Sequence, residues 1–277
     1  MRTALSALDL VEPKRLDEAL RVCRDQPDRV PLAGCTDVYV GLNFGTVAPT
    51  RFINLWLLDE LRGIRRRPGG GLAIGALTTF TELRRSPLVA KHAPLLAQAG
   101  REIGGVQIQN RATLGGNVVN ASPAADSVPV LAVADALLVV ASTQGQREIP
   151  LLDFYTGYRK TGLQPGELLL EIQVPALPGP GFFRKVGTRA ANAISKVVVA
   201  GVHGPRPRLA FGSVAPTIVR ATRTEAALAA GASVGQATSV LLSEIAPIDD
   251  LRSTASYRLQ VVANLLGQFC REAAAVG

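Results

Sequence analysis

Two glycine-containing turns carry the residue types in this sequence that could do chemistry. The first turn spans residues 32–37 (LAGCTD), and the second spans residues 112–117 (ATLGGN). Where glycine removes a Cβ atom, backbone N–H groups can converge on an anion, and neighbouring Thr and Asn side chains add donors. Either turn alone is typical of an ordinary chain reversal. Two such turns that converge would suit a pyrophosphate group without needing a lysine.

Several other kinds of site are excluded by the motifs and residue counts. The chain contains no G-x-x-x-x-G-K-[ST] loop, no G-x-G-x-x-G fingerprint after a strand and no G-x-S-x-G nucleophile elbow. Its 3 cysteines are too few and too scattered for an iron–sulfur cluster, and its 2 histidines nearly exclude a zinc site. The sequence therefore predicts no metal site in this chain and contains none of these nucleotide-binding or nucleophile motifs.

The surplus of basic residues is concentrated in part of the chain. The net charge is +8, and residues 61–120 alone carry +7, with the sharpest cluster at Arg62, Arg65, Arg66 and Arg67. Such a cluster is typical of a solvated turn, and also of a surface that binds nucleic acid, a membrane or an acidic partner. Only 5% of residues are aromatic and no nucleic-acid-binding motif occurs, which argues against nucleic acid.

No apolar run reaches the roughly 18 residues that a membrane span needs. The N-terminal residues also contain no apolar block long enough for a secretory signal. A cytoplasmic protein without a membrane span is therefore predicted.

A mixture of helices and strands must position the two turns. The apolar runs Val30–Ala33 and Val38–Leu42 around the first turn predict a strand–turn–strand or strand–loop arrangement. Thr79 and Glu82 have the spacing of a capping box, and residues 88–103 predict one helix. Further strands are predicted at 72–76, 168–174, 182–187, 197–202 and 209–214, and further helices at 18–24, 222–230 and 256–273. This mixed order favours an α+β fold over a doubly wound parallel sheet.

The turns and the segments around them resemble a known family when they are taken together and in order. The matching segments run from about residue 25 to about residue 266 and read PLAGCTDVYV, FINLWLLDELRGI, LAIGALTTFTEL, IQNRATLGGNVVNASPAADSVPVLAVADA, GYRKTGLQPGELLLEIQVP, FRKVGTRAANAISKV, FGSVAPTIVRA and SYRLQVVANLL. They resemble the FAD-binding medium subunit of the molybdenum hydroxylases, the family of bacterial carbon monoxide dehydrogenase and xanthine dehydrogenase-type enzymes. Residues 108–136 are the most distinctive block.

The resemblance implies a fold and a domain order. A two-part flavin-binding domain of the PCMH/VAO-like FAD fold is expected at residues 1–174, with subdomains at about 1–55 and 56–174. A smaller α+β C-terminal domain is expected at residues 182–277. The Pro- and Gly-rich stretch 175–181 is the expected linker, and the FAD would lie in a cleft lined by both parts.

The resemblance also implies the residues that bind FAD. The first turn would place six residues along the pyrophosphate and ribityl groups: Leu32, Ala33, Gly34, Cys35, Thr36 and Asp37. The second turn would contribute Thr113, Gly115, Gly116 and Asn117, with Asn120 nearby. The remaining matches are Asp126 at the adenosine, Ile103 and Leu169 beside the flavin ring, and Lys185 near the isoalloxazine carbonyls.

Some of these residues also have simpler explanations. Asp126 could be a helix N-cap or a turn carboxylate, and Lys185 could be a solvated lysine at a strand edge. Trp56, the single tryptophan, is expected in the core. The family's first turn is usually Gly-Gly, whereas here it is Gly34-Cys35. A positive φ at Cys35 would cost about 1 kcal/mol or more, so an ordinary φ is expected there.

The function implied by the resemblance is electron transfer. FAD on this chain would receive electrons from [2Fe–2S] clusters on a small partner subunit and pass them to NAD, a quinone or O2. A large partner subunit would carry the molybdopterin cofactor, and together they would form a heterotrimer. The alternatives are a stand-alone FAD-dependent oxidoreductase of the same fold and a binding module that has lost its FAD. In the electron-transfer subunit that the resemblance implies, the flavin supplies the redox chemistry, so no residue of this chain need act as a general acid or base.

Overall fold

The structure is a computed structural model that describes residues 7–276. Residues 1–6 and 277, which the sequence assigns to the ends of the two expected domains, lie outside the described part. Among the described residues, strands form a three-stranded, a five-stranded and a four-stranded sheet and a two-stranded ribbon. Helices pack against these sheets in a mixed order along the chain, so the predicted α+β fold is confirmed.

A small parallel sheet positions the first glycine turn. Its strands β1 (Asp9–Val11), β2 (Val30–Leu32) and β3 (Arg51–Asn54) pair in the order β1-β3-β2. Parallel neighbours need a crossover connection, and helices α1 (Leu16–Asp25) and α2 (Val38–Phe44) provide the connections here. The prediction of a strand or loop at Val38–Leu42 is therefore wrong, because the chain must cross over after β2 before β3 can pair beside it in parallel.

An antiparallel sheet forms the second part of the expected flavin-binding domain. Its strand order is β4-β5-β10-β6-β7. The strands of this sheet and of the ribbon β8–β9 are β4 (Ile64–Arg66), β5 (Leu72–Gly75), β6 (Leu137–Ser142), β7 (Gly145–Pro150), β8 (Tyr155–Gly157), β9 (Lys160–Thr161) and β10 (Leu168–Val174).

The connection from β5 to β6 is largely helical and carries the second glycine turn. Its helices are α3 (Phe80–Arg85), α4 (Pro87–His92), α5 (Pro94–Glu102), α6 (Val106–Gln109), α7 (Leu114–Val119) and α8 (Val128–Val133). The capping box predicted at Thr79 and Glu82 is present at the start of α3. Residues 88–103, predicted as one helix, form parts of two helices that meet at Ala93, because Pro94 has no N–H to continue α4 and instead begins α5.

The C-terminal part is an antiparallel sheet covered by helices. After the short helix α9 (Leu151–Phe154) and β10, the remaining elements are β11 (Gly181–Val186), β12 (Val197–Val202), β13 (Arg208–Gly212), β14 (Val219–Arg220), α10 (Thr222–Ala229), α11 (Val234–Leu242) and α12 (Ala255–Val276). The sequence analysis did not predict α11, although Ser233 and Gln236 at its start form a capping box.

The central strand β12 joins two hydrophobic cores. Side chains alternate between the faces of a strand, and Val198, Ala200 and Val202 pack into the core shared with helices α3–α8. Val197 and Val199 pack into the second core, which α11 and α12 cover. On the neighbouring strand β11, Phe183 faces the first core. Lys185 lies two residues further on, so the same alternation directs it toward the helices of the first core.

The stretch 175–181 connects the two parts and is packed against both. A Cβ on Gly179 would lie 2.2 Å from the carbonyl oxygen of His203, and one on Gly181 would lie 2.6 Å from Leu95. The backbone N–H of His203 also donates to the carbonyl of Pro180 at 2.8 Å. The glycines here allow close approach between chain segments.

Candidate functional site

The first glycine turn places a left-handed residue between β2 and α2. Cys35 has φ 62°, so the expectation of an ordinary φ is wrong. Its carbonyl accepts the N–H of Tyr39 in the first turn of α2 at 2.9 Å. The chain therefore reverses sharply enough to enter the helix directly. The thiol donates to the carbonyl of Ala33 at 3.5 Å, and burial raises its pKa, so Cys35 is not an activated nucleophile.

The backbone donors of this turn are unused. No acceptor within residues 7–276 pairs with the N–H groups of Gly34, Cys35, Thr36 or Asp37. A left-handed residue in a turn directs successive N–H groups toward one side, which creates a concave site for an anion. The left-handed conformation of Cys35 is compatible with the anion site that the sequence suggested for the first turn, which stays a prediction.

The second glycine turn behaves differently. The N–H groups of Leu114 and Gly115 donate to the carbonyls of Thr78 and Ala76, each at 2.9 Å. The N–H of Gly116 donates to the hydroxyl of Thr113 at 3.0 Å. The N–H groups of these three residues are therefore paired within the chain, because the segment after β5 and the side chain of Thr113 supply acceptors that a sequence motif cannot reveal. Gly115 instead permits close packing, since its Cβ would lie 2.6 Å from the carbonyl of Ala76.

The two turns converge. A Cβ on Gly34 would lie only 1.7 Å from the carbonyl oxygen of Arg111, and one on Gly116 would lie 3.8 Å from the Cβ of Ala33. Arg159 adds a side-chain bridge, since its guanidinium donates to Asn120 Oδ1 at 3.1 Å and lies 3.7 Å from Asp37 Oδ2. Arg159 was not predicted as a site residue.

A cleft of about 720 Å³ opens beside the first turn. Its lining includes five of the predicted residues, namely Leu32, Ala33, Gly34, Cys35 and Thr36. Trp56 and Arg111 also line it. Trp56 is half-buried, so the prediction that it belongs to the core is wrong. Trp56 follows β3, and its backbone N–H donates to the side chain of Asn54 at 3.0 Å. This hydrogen bond holds Trp56 at the edge of the cleft.

Asp126 and Lys185 form a buried ion pair. Lys185 Nζ lies 2.7 Å from Asp126 Oδ2, and the two side chains are only 6% and 8% exposed. Ser195 donates a short hydrogen bond to Asp126 Oδ1, and Lys185 also donates to the carbonyl of Glu102 at 2.7 Å. Burial raises the pKa of the Asp126 carboxyl, while the Lys185 ammonium and the Ser195 hydroxyl oppose that rise.

This ion pair changes the interpretation of both residues. Asp126 is not a helix cap, and Lys185 is not a solvated lysine, because each side chain is buried against the other. The resemblance assigned Asp126 to the adenosine and Lys185 to the flavin carbonyls. The structure brings the two residues together in one buried group. Ser195, from the loop before β12, was missed because 69 residues separate it from Asp126.

The other predicted residues surround this group. Ile103 follows Glu102 at the end of α5 and is almost completely buried. Gln109 donates to the carbonyl of Ile103 at 2.9 Å, which holds this turn in place. Asn117 accepts a hydrogen bond from Ser127, the neighbour of Asp126, at 2.6 Å. The second turn therefore adjoins the ion pair on one side and the first turn on the other.

Two predicted residues have structural contacts of their own. Leu169 lies on β10 and is buried in the core that packs on α3–α8. Thr113 is buried and caps α7 through its hydroxyl. Among residues 7–276, no group of His, Cys, Asp or Glu is arranged to hold a metal ion, and no described helix is long and apolar enough to cross a membrane.

Comparison with known proteins first defines the class. Residues 6–177 match the family model described as the FAD binding domain in molybdopterin dehydrogenase. Residues 183–273 match the CO dehydrogenase flavoprotein C-terminal domain. The chain is thus an FAD-binding domain followed by a flavoprotein C-terminal domain.

Individual relatives then define the family. The chain is 33% identical over 275 residues to the xanthine dehydrogenase FAD-binding subunit of Escherichia coli O157:H7, covering 94% of each chain. It is 31% identical over 267 residues to the carbon monoxide dehydrogenase medium chain of Hydrogenophaga pseudoflava, covering 92% of each. A solved carbon monoxide dehydrogenase from that organism, which lacks the Mo-pyranopterin moiety of its molybdenum cofactor, matches with TM-score 0.90 and 28% identity over 97% of this chain and 96% of that chain. The protein belongs to the FAD-binding subunits of the molybdopterin dehydrogenases, and the resemblance seen in the sequence is confirmed.

Proposed function

We propose that FAD binds along the path from the first glycine turn, past the second turn, to the Lys185–Asp126 pair. The observation that carries this proposal is the set of four backbone N–H groups at residues 34–37, which have no acceptor in the described part of the chain and lie beside a cleft of about 720 Å³. These donors fit the diphosphate of FAD. A glycine at position 34 also suits the proposed FAD site, because a side chain there would separate the two turns.

The flavin ring is placed at the ion pair in this proposal. Lys185 has three N–H donors, and Asp126 and the carbonyl of Glu102 accept two of them. The third donor is available to a carbonyl of the flavin ring. The positive charge of Lys185 would stabilise negative charge on that ring, while Ile103 and the second turn flank the same region. Bound FAD would supply the redox chemistry, and this chain would bind, orient and tune it.

We further propose that the chain is the electron-transfer subunit of a molybdenum hydroxylase. The relatives are named as FAD-binding subunits and medium chains of dehydrogenases, which supports partner subunits here. One partner would carry [2Fe–2S] clusters and another the molybdopterin cofactor, and electrons would leave to NAD, a quinone or O2. A cytoplasmic location stays a prediction, and the three thiols, unpaired in the described structure, suit a reducing compartment.

The absorbance spectrum of the purified chain tests the FAD proposal. Visible flavin bands, or their appearance at a one-to-one ratio when FAD is added, are the expected result. A colourless chain that takes up no added FAD would overturn the proposal and leave a binding module without flavin. Substrate oxidation by the flavin-loaded chain alone would instead support a stand-alone oxidoreductase.

The basic hairpin between β4 and β5 provides a test of partner binding. Arg65 pairs with Glu171 at 2.6 Å, whereas Arg66 and Arg67 have no carboxylate within 4 Å among the described residues. We expect the double variant R66E/R67E to retain FAD and to lose co-purification with its partner subunits. Unchanged assembly would exclude this hairpin as the docking surface. Arg21→Glu on α1 is the control for charge.

A further inference from the structure

Arg111 places an unpaired guanidinium on the wall of the cleft. Its Cζ atom lies 3.6 Å from the centre of the Trp56 ring, which is a cation–π contact. No carboxylate and no hydrogen-bond acceptor within residues 7–276 pairs with this guanidinium. A second arginine, Arg62, stacks on the same ring at 4.4 Å, but its N–H groups already donate to the carbonyls of Trp56 and Leu77.

The position of Arg111 is set by the contact between the two turns. Its carbonyl oxygen packs against Gly34, so its side chain starts beside the unused N–H groups of residues 34–37. The charge of Arg111 also reaches the first turn, since it lowers the pKa of the Cys35 thiol against the effect of burial. Among the described residues that line the cleft there is no Asp or Glu, and Arg111 is the one cationic side chain.

The chemistry of a guanidinium explains what this arrangement can bind. Stacking on an aromatic face leaves the N–H groups at the edge of the guanidinium plane free, and their fork matches two oxygens of a phosphate. The N–H groups of the first turn provide donors from the backbone side. A diphosphate between them would receive donors from two directions in a cleft without opposing negative charge.

We propose that Arg111, held on Trp56, binds the diphosphate of FAD opposite the N–H groups of the first turn. This inference rests on the proposed FAD site and adds a residue to it. Trp56 acts as a positioning residue, because it orients the guanidinium and has no polar role of its own toward the phosphate.

The test compares FAD binding by the wild-type chain and by R111Q, with the dissociation constant measured from flavin fluorescence at fixed ionic strength. Loss of one charge-assisted phosphate contact predicts roughly 10- to 100-fold weaker binding in R111Q. R111K retains the charge but not the forked N–H groups, so its dissociation constant for FAD should lie between those of the wild type and R111Q. R85Q removes the same charge from the exposed last turn of α3 and should bind FAD as the wild type does. Thermal melting confirms that each variant is folded.

Two further ligands separate phosphate recognition from general damage to the site. ADP, titrated by the fluorescence of Trp56, should lose affinity in R111Q by a factor close to that for FAD. The affinity for riboflavin, which has no phosphate, should change little in R111Q. If R111Q binds FAD as tightly as the wild type, or if riboflavin loses as much as FAD, Arg111 is not a phosphate ligand. A wild-type chain that binds no FAD would refute the proposed function itself, and this inference with it.

Discussion

Lys185 and Asp126 meet at 2.7 Å across the boundary between the two family-model domains, residues 6–177 and 183–273. One partner lies on β11 of the C-terminal part, and the other lies between α7 and α8 of the flavin-binding part. Both side chains are buried, so each charge is stabilised by the other. The Ser195 hydroxyl also donates to Asp126, and Lys185 also donates to the carbonyl of Glu102. The pair therefore links the docking of the two parts to the candidate flavin site.

Breaking this pair should destabilise the protein strongly. Removing one member of a buried ion pair leaves an uncompensated charge, which costs about 3–5 kcal/mol. We expect Asp126→Ala to lower the free energy of unfolding by that amount in urea denaturation. The free energy of unfolding should fall less in the double variant D126A/K185M than the sum of its decreases in the two single variants. Asp17→Asn, which breaks the exposed pair of Asp17 with Arg21, should change little. If the decreases in the free energy of unfolding for the single variants at Asp126 and Lys185 add up to that of the double variant, the two residues are not coupled.

Gly34 should tolerate no side chain. Gly34→Ala places a Cβ on the carbonyl of Arg111, so the backbone must shift, at a cost of about 1–3 kcal/mol. We expect the turns to separate and FAD affinity to fall at least about tenfold, which corresponds to roughly 1.4 kcal/mol. Gly235→Ala is the matched control, because Gly235 lies in α11 with open space around it and should stabilise the helix. Equal effects of the two substitutions on FAD binding and melting would refute the steric argument.

Cys35 should be replaced most easily by residues that accept a left-handed backbone. We expect Cys35→Gly to raise the free energy of unfolding by about 0.5–1 kcal/mol, because relief of strain outweighs the greater freedom of glycine in the unfolded chain. Cys35→Val should lower it by more than about 1 kcal/mol, since a β-branched residue is poorly accommodated at positive φ. Urea denaturation measures both. Cys35→Asn controls for loss of the thiol, and equal stability of the Val and Asn variants would exclude backbone strain.

His203 should make stability fall at acid pH. Burial lowers the pKa of His203, although Glu272 partly opposes this, and its ring stacks on Phe269 at 4.3 Å with Nδ1 unpartnered. The unfolded chain therefore binds a proton more readily than the folded one below about pH 6.5. We expect the contribution of neutral His203 to be complete above that pH and to decrease as the pH falls toward the folded-state pKa.

The variant His203→Phe isolates this effect, because it retains an aromatic ring and cannot titrate. Urea denaturation between pH 7.5 and pH 5 should show a smaller decrease for the variant than for the wild type. Any other group that titrates does so in both proteins, so the difference in slope is the informative quantity. Parallel pH profiles would mean that His203 has the same pKa in the folded and unfolded states, which would contradict the prediction.

Local residue patterns accounted for much of the fold. The capping box at Thr79 and Glu82 and the apolar runs of β11, β12 and β13 act over a few neighbouring residues, so the sequence alone predicts them. Parallel pairing of β2 with β3 is a long-range contact, and it turned the apolar run at Val38–Leu42 into a helix. The sequence pattern there could not distinguish the two outcomes.

In the candidate site too, some features follow from the sequence and others only from the tertiary structure. The sequence by itself determined the two glycine turns and the resemblance that indicates FAD, because glycine spacing and local order are written in consecutive residues. Only the tertiary structure decided that Gly115 and Leu114 of the second turn donate to Ala76 and Thr78, whereas no acceptor among the described residues pairs with the N–H groups of residues 34–37. It also decided that Lys185 faces Asp126 and that Arg111 stacks on Trp56. These relationships join residues far apart in the chain, and packing alone brings their charges and donors together.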